Sequence, residues 1–167
     1  MSQFFLKTSR HVRHANLVMM MAFCLMSCAA SKTASVRASK VESVINSARA
    51  YIGTPYRYGG TTRAGMDCSG LLMNSFQSVK VSLPRTSEAQ SKVGVEVKMK
   101  DLQPGDLVFF ATSNKKRRIT HVGLVTEVNG RDNVKFIHAS SSLGVVETNI
   151  YADYYQKRFR VARRIIQ

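Results

Sequence analysis

The stretch His121–Ser140, "HVGLVTEVNGRDNVKFIHAS", holds two runs that read as strands, one on either side of Asn129–Gly130. Asn-Gly is the strongest short hairpin turn signal, because both of its central positions tolerate positive φ. A symmetric hairpin centred there would place His121 directly opposite His138, on one face, with Cβ atoms about 5 Å apart. The longer polar stretch "NGRDN" leaves room for a different register.

Working outward, "DLVFFA" (106–111) follows the turn "QPGD", and "GVVETN" (144–149) and "RFRVARRI" (158–165) read as further strands. "YADYY" (151–155) between the last two reads as a helical turn. Helices precede the strands. "SKVE" at Ser39–Glu42 is a capping-box pattern. Val41, Val44, Ile45, Ala48 and Ile52 follow at helical spacing, and Gly53 with Pro55 ends the run. "PYRYGG" suggests a short extended piece. Cys68–Val79 reads as a second helix, with Leu72, Phe76 and Val79 on one face. Helices first and strands after give an α+β class: N-terminal helices on an antiparallel sheet of five to six strands. No internal repeat is present.

The N-terminus reads differently. Lys7, Arg10 and Arg13 form a positive region without acids, followed by the apolar run "ANLVMMMAFCLMS". That run is the core of an export signal and is too short for a stable membrane span. "LMSC", Leu25–Cys28, resembles a bacterial lipobox, which implies cleavage before Cys28 and lipidation of its thiol. The expected organisation is a signal over 1–27, a lipidated Cys28 with a short polar tether over 28–39, and one domain over 40–167. Ala29 after the lipidated position favours the outer membrane, facing the periplasm, where the host has one.

This leaves Cys68 as the only thiol of the body, so a disulfide framework is excluded. Without the signal the chain keeps 22 basic and 10 acidic residues, a formal +12. Export argues against nucleic acid as the partner. An anionic wall or membrane surface fits the charge, as does a merely solvated face. "NKKRR" (114–118) is a basic loop without the interleaved aromatics of a single-strand binder.

Cys68 is expected near the first turn of its helix, where unpaired N–H groups and the helix dipole favour a thiolate and lower the thiol pKa. A nucleophile also needs a base, and only His121 and His138 follow it in sequence. One imidazole could take the proton while the other orients it. The competing readings are a buried inert thiol and a zinc site of Cys68, His121 and His138, which lacks a closely spaced ligand pair. "GTTRAG" (60–65) spaces its glycines like a P-loop, but Met66-Asp67 replaces Lys-Ser/Thr, so phosphate binding is rejected. Asp106 reads as turn chemistry.

The motifs "GTPYRYGG", "GMDCSG", "LPRTS", "PGDLVFF", "HVGL" and "FIHASSSLGV", in this order, resemble the NlpC family of papain-like bacterial cell-wall peptidases. The likeness runs from about Val41 to the C-terminus. It implies a papain-like α+β fold and a Cys–His–His triad, with Cys68 as nucleophile, His121 as base and His138 as orienting residue. It also implies Tyr56 beside the thiol, and Asp67, Ser69 and Arg85 lining the pocket for the stem peptide. Asp67 would meet a substrate amine and Arg85 a carboxylate through its fork. Read without the likeness, Asp67 is an N-cap, Ser69 a first-turn residue, Tyr56 a core tyrosine and Arg85 a surface ion pair. "TSNKKRRIT" before His121 and the interval between the histidines are longer than the family pattern.

The expected protein is therefore a lipid-anchored, monomeric cysteine endopeptidase of peptidoglycan. It needs no metal and no other cofactor. An amidase of related fold and a catalytically dead wall-binding module are the alternatives. The order Cys, His, His disfavours acyltransferases of the lecithin–retinol type.

Overall fold

The computed structural model describes residues 32–113 and 118–167. The expected signal, Cys28 and most of the basic loop lie outside the described residues. Ser39–Gln167 forms one compact unit. Helical backbone, α1, covers 32–49. It therefore includes the last part of the expected tether, and Ser39 caps nothing: its carbonyl accepts from Ser43 Oγ within the helix at 2.9 Å. "KTASVRA" contains neither glycine nor proline to stop a helix short of Ser39. Ile52, expected on the apolar face, is exposed, because the helix ends three residues before it.

After a two-strand ribbon, β1 (Thr61–Thr62) and β2 (Gly65–Met66), come α2 (Cys68–Gln77) and the short α3 (Ser87–Gln90). Then follow β3 (Val95–Val97), β4 (Asp106–Phe110), β5 (His121–Val128), β6 (Val134–Ser140) and β7 (Gly144–Asn149). A helical turn, α4 (Asp153–Gln156), leads into β8 (Phe159–Arg164). Strands β3–β8 form one six-stranded antiparallel sheet in the order β3-β8-β4-β5-β6-β7. The α+β reading holds. The ribbon and the edge strand β3 were not legible, being two or three residues long.

The sheet is apolar on both faces, which explains the unbroken burial of "DLVFF". On one face Val44, Ala48, Leu72 and Phe76 of α1 and α2 pack with Leu107, Phe109, Val122, Leu124 and Ile137. On the other, Val108, Phe110, Val125 and Phe136 pack with Ile150, and Tyr155 and Phe159 close over them. Two ionic ties brace the fold, one between helix and sheet and one within the sheet. Arg49 of α1 donates to Glu147 at 2.7 Å and to Glu127 at 2.8 Å. The fully buried Asp106 receives Arg164 of β8 at 2.8 Å on each oxygen. Asp106 also accepts from the Gln103 N–H, so the turn reading of this residue stands beside a second role in seating β8.

The β5–β6 register differs from the symmetric hairpin. Leu124 pairs with Ile137 and Val125 with Phe136, and a bulge then shifts the pairing to Glu127–Lys135 and Val128–Val134. The chain reverses through the longer 129–133 loop, closed by Asn129 N–H on the Asn133 carbonyl. The pairing is displaced by two residues from the expected one. A two-residue displacement keeps every side chain on its face, whereas a one-residue slip would turn it over. The histidines are thus diagonal neighbours rather than opposed, still on one face.

Candidate active site

The site is assembled where the start of α2 meets the start of β5. Asp67 caps α2: its backbone is extended, with φ −95° and ψ 172°, and its Oδ1 accepts from Gly70 N–H at 2.7 Å. The same carboxylate accepts from Gly59 N–H at 2.9 Å, tying the cap to the "PYRYGG" segment. The helix start and that segment are pressed together at Gly70, where an added Cβ would lie 2.5 Å from the Gly60 carbonyl oxygen. Cys68 is therefore the first residue of a well-anchored helix, and it is buried.

Two observations place the thiol against β5. Cys68 packs with Val122 in the core, and the Val122 N–H favours the thiolate. His121, one residue earlier, opens the strand. The imidazoles belong to the other face of the sheet, where His138 stacks on Phe136 with ring centroids 4.7 Å apart and His121 meets Phe110 and Tyr155. Helix α2 packs its thiol with Val122, the second residue of β5 and the neighbour of His121. His121 Nε2 and His138 Nδ1 are 3.0 Å apart with the rings nearly perpendicular. That bond occupies Nε2 of His121 and leaves Nδ1 as its second nitrogen.

The electrostatics correct one expectation. Burial pushes the Cys68 thiol up to about 11, and the Asp67 charge adds to this; the N–H groups of Val122, Ser69 and Cys68 only partly offset it. Burial also pulls His121 down to about 4, and burial with the neighbouring His121 pulls His138 down to about 3. The helix-terminal effect operates, but desolvation outweighs it. Burial thus favours the uncharged thiol and the uncharged imidazoles at neutral pH. Alkylation of Cys68 by iodoacetamide should accordingly keep accelerating from pH 6 to pH 9, with no plateau near pH 5. A rate already maximal at pH 5 would mean a standing thiolate–imidazolium pair.

Cys68 opens onto a cavity of about 550 Å³. Tyr56, Tyr58, Asp67, Ser69 and Arg85 share its wall, with Glu88 and Arg118 further along. Tyr56 thus stands near the thiol, its phenol raised by burial and then by the charges of Cys68 and Asp67. Arg85 does not extend a free fork. Its Nη1 donates to Asp67 Oδ1 at 3.0 Å and its Nη2 to Oδ2 at 2.6 Å, while Nη1 also reaches Ser69 Oγ at 2.9 Å. Burial alone would raise the Asp67 carboxyl, but Arg85 and the N–H groups of Gly70 and Gly59 hold it below its usual range. The three residues make one zwitterionic wall.

Residues 53–164 match the profile of the NlpC/P60 family. The chain belongs to the NlpC/P60 family. It is 43% identical over 114 residues to the probable endopeptidase NlpC of Escherichia coli K12, across 68% of this chain and 70% of that one. It is 36% identical over 115 residues to the murein DD-endopeptidase/murein LD-carboxypeptidase MepS of the same strain. That match covers 68% of this chain and only 57% of MepS. A crystal structure of an NlpC/P60 family protein from Bacillus cereus superimposes with a TM-score of 0.68 at 30% identity, over 76% of this chain and 40% of that chain. Endopeptidases are thus named among its relatives.

Three features of the NlpC/P60 site were not foreseen from the sequence: Tyr58 on the cavity wall, and Thr148 and Tyr155 behind His138. "YADYY" offered no signal beyond a helical turn, and Thr148 is one alternating position among several in β7.

Proposed function

We propose that this chain is a cysteine endopeptidase of peptidoglycan, tethered to the envelope by a lipid on Cys28, and that it hydrolyses peptide bonds in stem peptides or their cross-links. The observation that carries the reading is a capped-helix thiol on the wall of a charged cavity, packed with Val122 of the strand that one member of a hydrogen-bonded histidine pair opens. Cys68 Sγ attacks the scissile carbonyl carbon as its proton passes to His121 Nδ1. The imidazolium is held through Nε2–H donating to His138 Nδ1. His121 then gives the proton to the leaving amine, and the Cys68 thioester is hydrolysed by a water that His121 deprotonates. Starting from uncharged partners, proton transfer and attack proceed together.

The zwitterionic wall of Asp67, Arg85 and Ser69 suits a substrate that carries both an amine and a carboxylate, as stem peptides do. The naming of MepS as a murein DD-endopeptidase supports the cross-link as the bond cut. The basic leader and the "LMSC" run support the anchor, and Ala29 supports the outer membrane.

The test is digestion of purified monomeric and cross-linked muropeptides by the full chain, with products identified by mass. Conversion of dimers to intact monomers is expected. Shortened monomer stems would move the cut to the D-Glu bond, and release of whole stem peptides from the sugar would make the chain an amidase. No product from any muropeptide would sink the enzymatic reading. In bacteria expressing the full chain, Cys28→Ala should move the protein from the membrane to the soluble fraction; unchanged partition would remove the anchor from the proposal.

A further inference from the structure

The chain of hydrogen bonds that starts at the two imidazoles continues past His138. Its Nε2 lies 3.2 Å from Thr148 Oγ1 and 3.3 Å from the Tyr155 hydroxyl. We infer that Thr148 and Tyr155 are positioning residues: both hydroxyls accept from His138 Nε2–H and so hold His138 in the tautomer whose bare Nδ1 faces His121. This inference rests on the proposed role of His121 as the base.

A neutral imidazole carries one N–H. When His121 takes the thiol proton at Nδ1, both of its nitrogens bear hydrogen, and its Nε2–H must find a lone pair. The nitrogen in reach is His138 Nδ1, 3.0 Å away. His138 must therefore keep its single proton on Nε2. His138 is 1% exposed, so bulk water does not reach that N–H. A buried donor without an acceptor is costly. The two hydroxyls are the acceptors in place. In the opposite tautomer His138 Nδ1–H would donate to His121 Nε2. The proton of His121 would then sit on Nδ1, the position that has to receive the thiol proton. The proton taken from Sγ stays on His121 until it leaves with the amine; none passes to Thr148 or Tyr155.

The two hydroxyls come from separate elements that the fold clamps around one ring. Thr148 of β7 pairs with Phe136, two residues before His138 on β6 and on the same face. Tyr155 of α4 sets its ring edge-on to Phe136 at 4.9 Å and to Phe110 at 5.3 Å, and packs against His138 at 5.2 Å. Phe136 stacks on the face of His138 with 19° between the planes. The stack fixes the ring plane, and the hydroxyls are left to fix the proton. Burial pushes the Tyr155 phenol up to about 12, which keeps it an uncharged hydroxyl through the neutral range.

The experiment uses the full chain carrying Thr148→Val, Tyr155→Phe and both together, each substitution keeping the shape and removing the hydroxyl. Turnover of cross-linked muropeptides by the double variant should fall about 10- to 100-fold in kcat with KM within about twofold. In a Cys68→Ala background, the ring ¹⁵N shifts of His138 should move from the Nε2–H pattern toward Nδ1–H. Thr148→Ser in the Tyr155→Phe background should restore most of the loss, which a merely structural role of Thr148 would not. A double variant with unchanged kcat and unchanged His138 ¹⁵N shifts would overturn the inference. Should Cys68→Ala and His121→Ala themselves leave digestion intact, it is the underlying catalytic reading that fails.

Discussion

Cys68→Ala and His121→Ala should each lower kcat on cross-linked muropeptides by about 10,000-fold, with KM little changed. Alanine at 68 removes the atom that forms the bond to the acyl group. Alanine at 121 removes the acceptor of its proton, and a thiol pushed up to about 11 does not ionise unaided at neutral pH. The two groups act as one unit, so the double variant should be no slower than either single one. Substrate affinity should persist because the zwitterionic wall of Asp67, Ser69 and Arg85 is untouched. Stability should change little at Cys68, a small side chain whose truncation leaves a correspondingly small void. Single-turnover kinetics with mass detection of the acyl-enzyme provide the measurement. A Cys68→Ala chain that retains a hundredth of wild-type kcat would show that the thiol is not the nucleophile.

Asp67→Ala should be the most destabilising single change at the site, by about 2–4 kcal/mol. It deletes the cap of α2, the acceptor of Gly59 N–H and both partners of the Arg85 fork. Arg85→Ala should cost clearly less, about 1 kcal/mol. Arg85 is 39% exposed and recovers water, while Asp67 is 9% exposed and would keep its backbone donors when the arginine is gone. The pH dependence has a definite sign. The folded carboxyl lies below its ordinary value of 3.8, so its contribution is complete above that pH and is lost as pH falls through the folded value. Urea unfolding of the two single variants and the double variant at neutral pH gives the comparison. Equal losses from Asp67→Ala and Arg85→Ala would mean that the ion pair, not the cap, anchors the helix. Because Cys68 follows directly on this cap, activity should fall with stability in Asp67→Ala.

Much of this site was legible in one dimension. The strand-forming composition of "HVGLVTEV" and "VKFIHAS" is a local property, and these strands span the expected residues. The hairpin was legible but its register was not. Asn129–Gly130 favours a two-residue turn, yet the five-residue loop and a bulge at Thr126 won, a choice made by how Leu124, Ile137 and Phe136 fit the two cores. The same-face prediction for the histidines survived because a shift of two conserves side-chain parity. Arg85 was placed on the cavity wall by likeness to a family, while its engagement with Asp67 depends on a fold that brings together residues 18 apart. The insertion of β8 between β3 and β4 had no local signal at all. It rests on pairings such as Leu107–Arg163 and on the buried Asp106–Arg164 ion pair.

Taken alone, the sequence determined that the chain is α+β, that Cys68 opens a capped helix, and that the two following histidines lie on one face of an antiparallel hairpin. Each depends on contacts between residues near in sequence, or on a period set by the backbone. Tertiary structure alone decided the protonation of the resting thiol, the mutual neutralisation of Asp67 and Arg85, and the recruitment of Thr148 and Tyr155 behind His138. Desolvation and hydrogen-bond reach depend on what surrounds a group in three dimensions, and those neighbours come from strands and helices far apart along the chain.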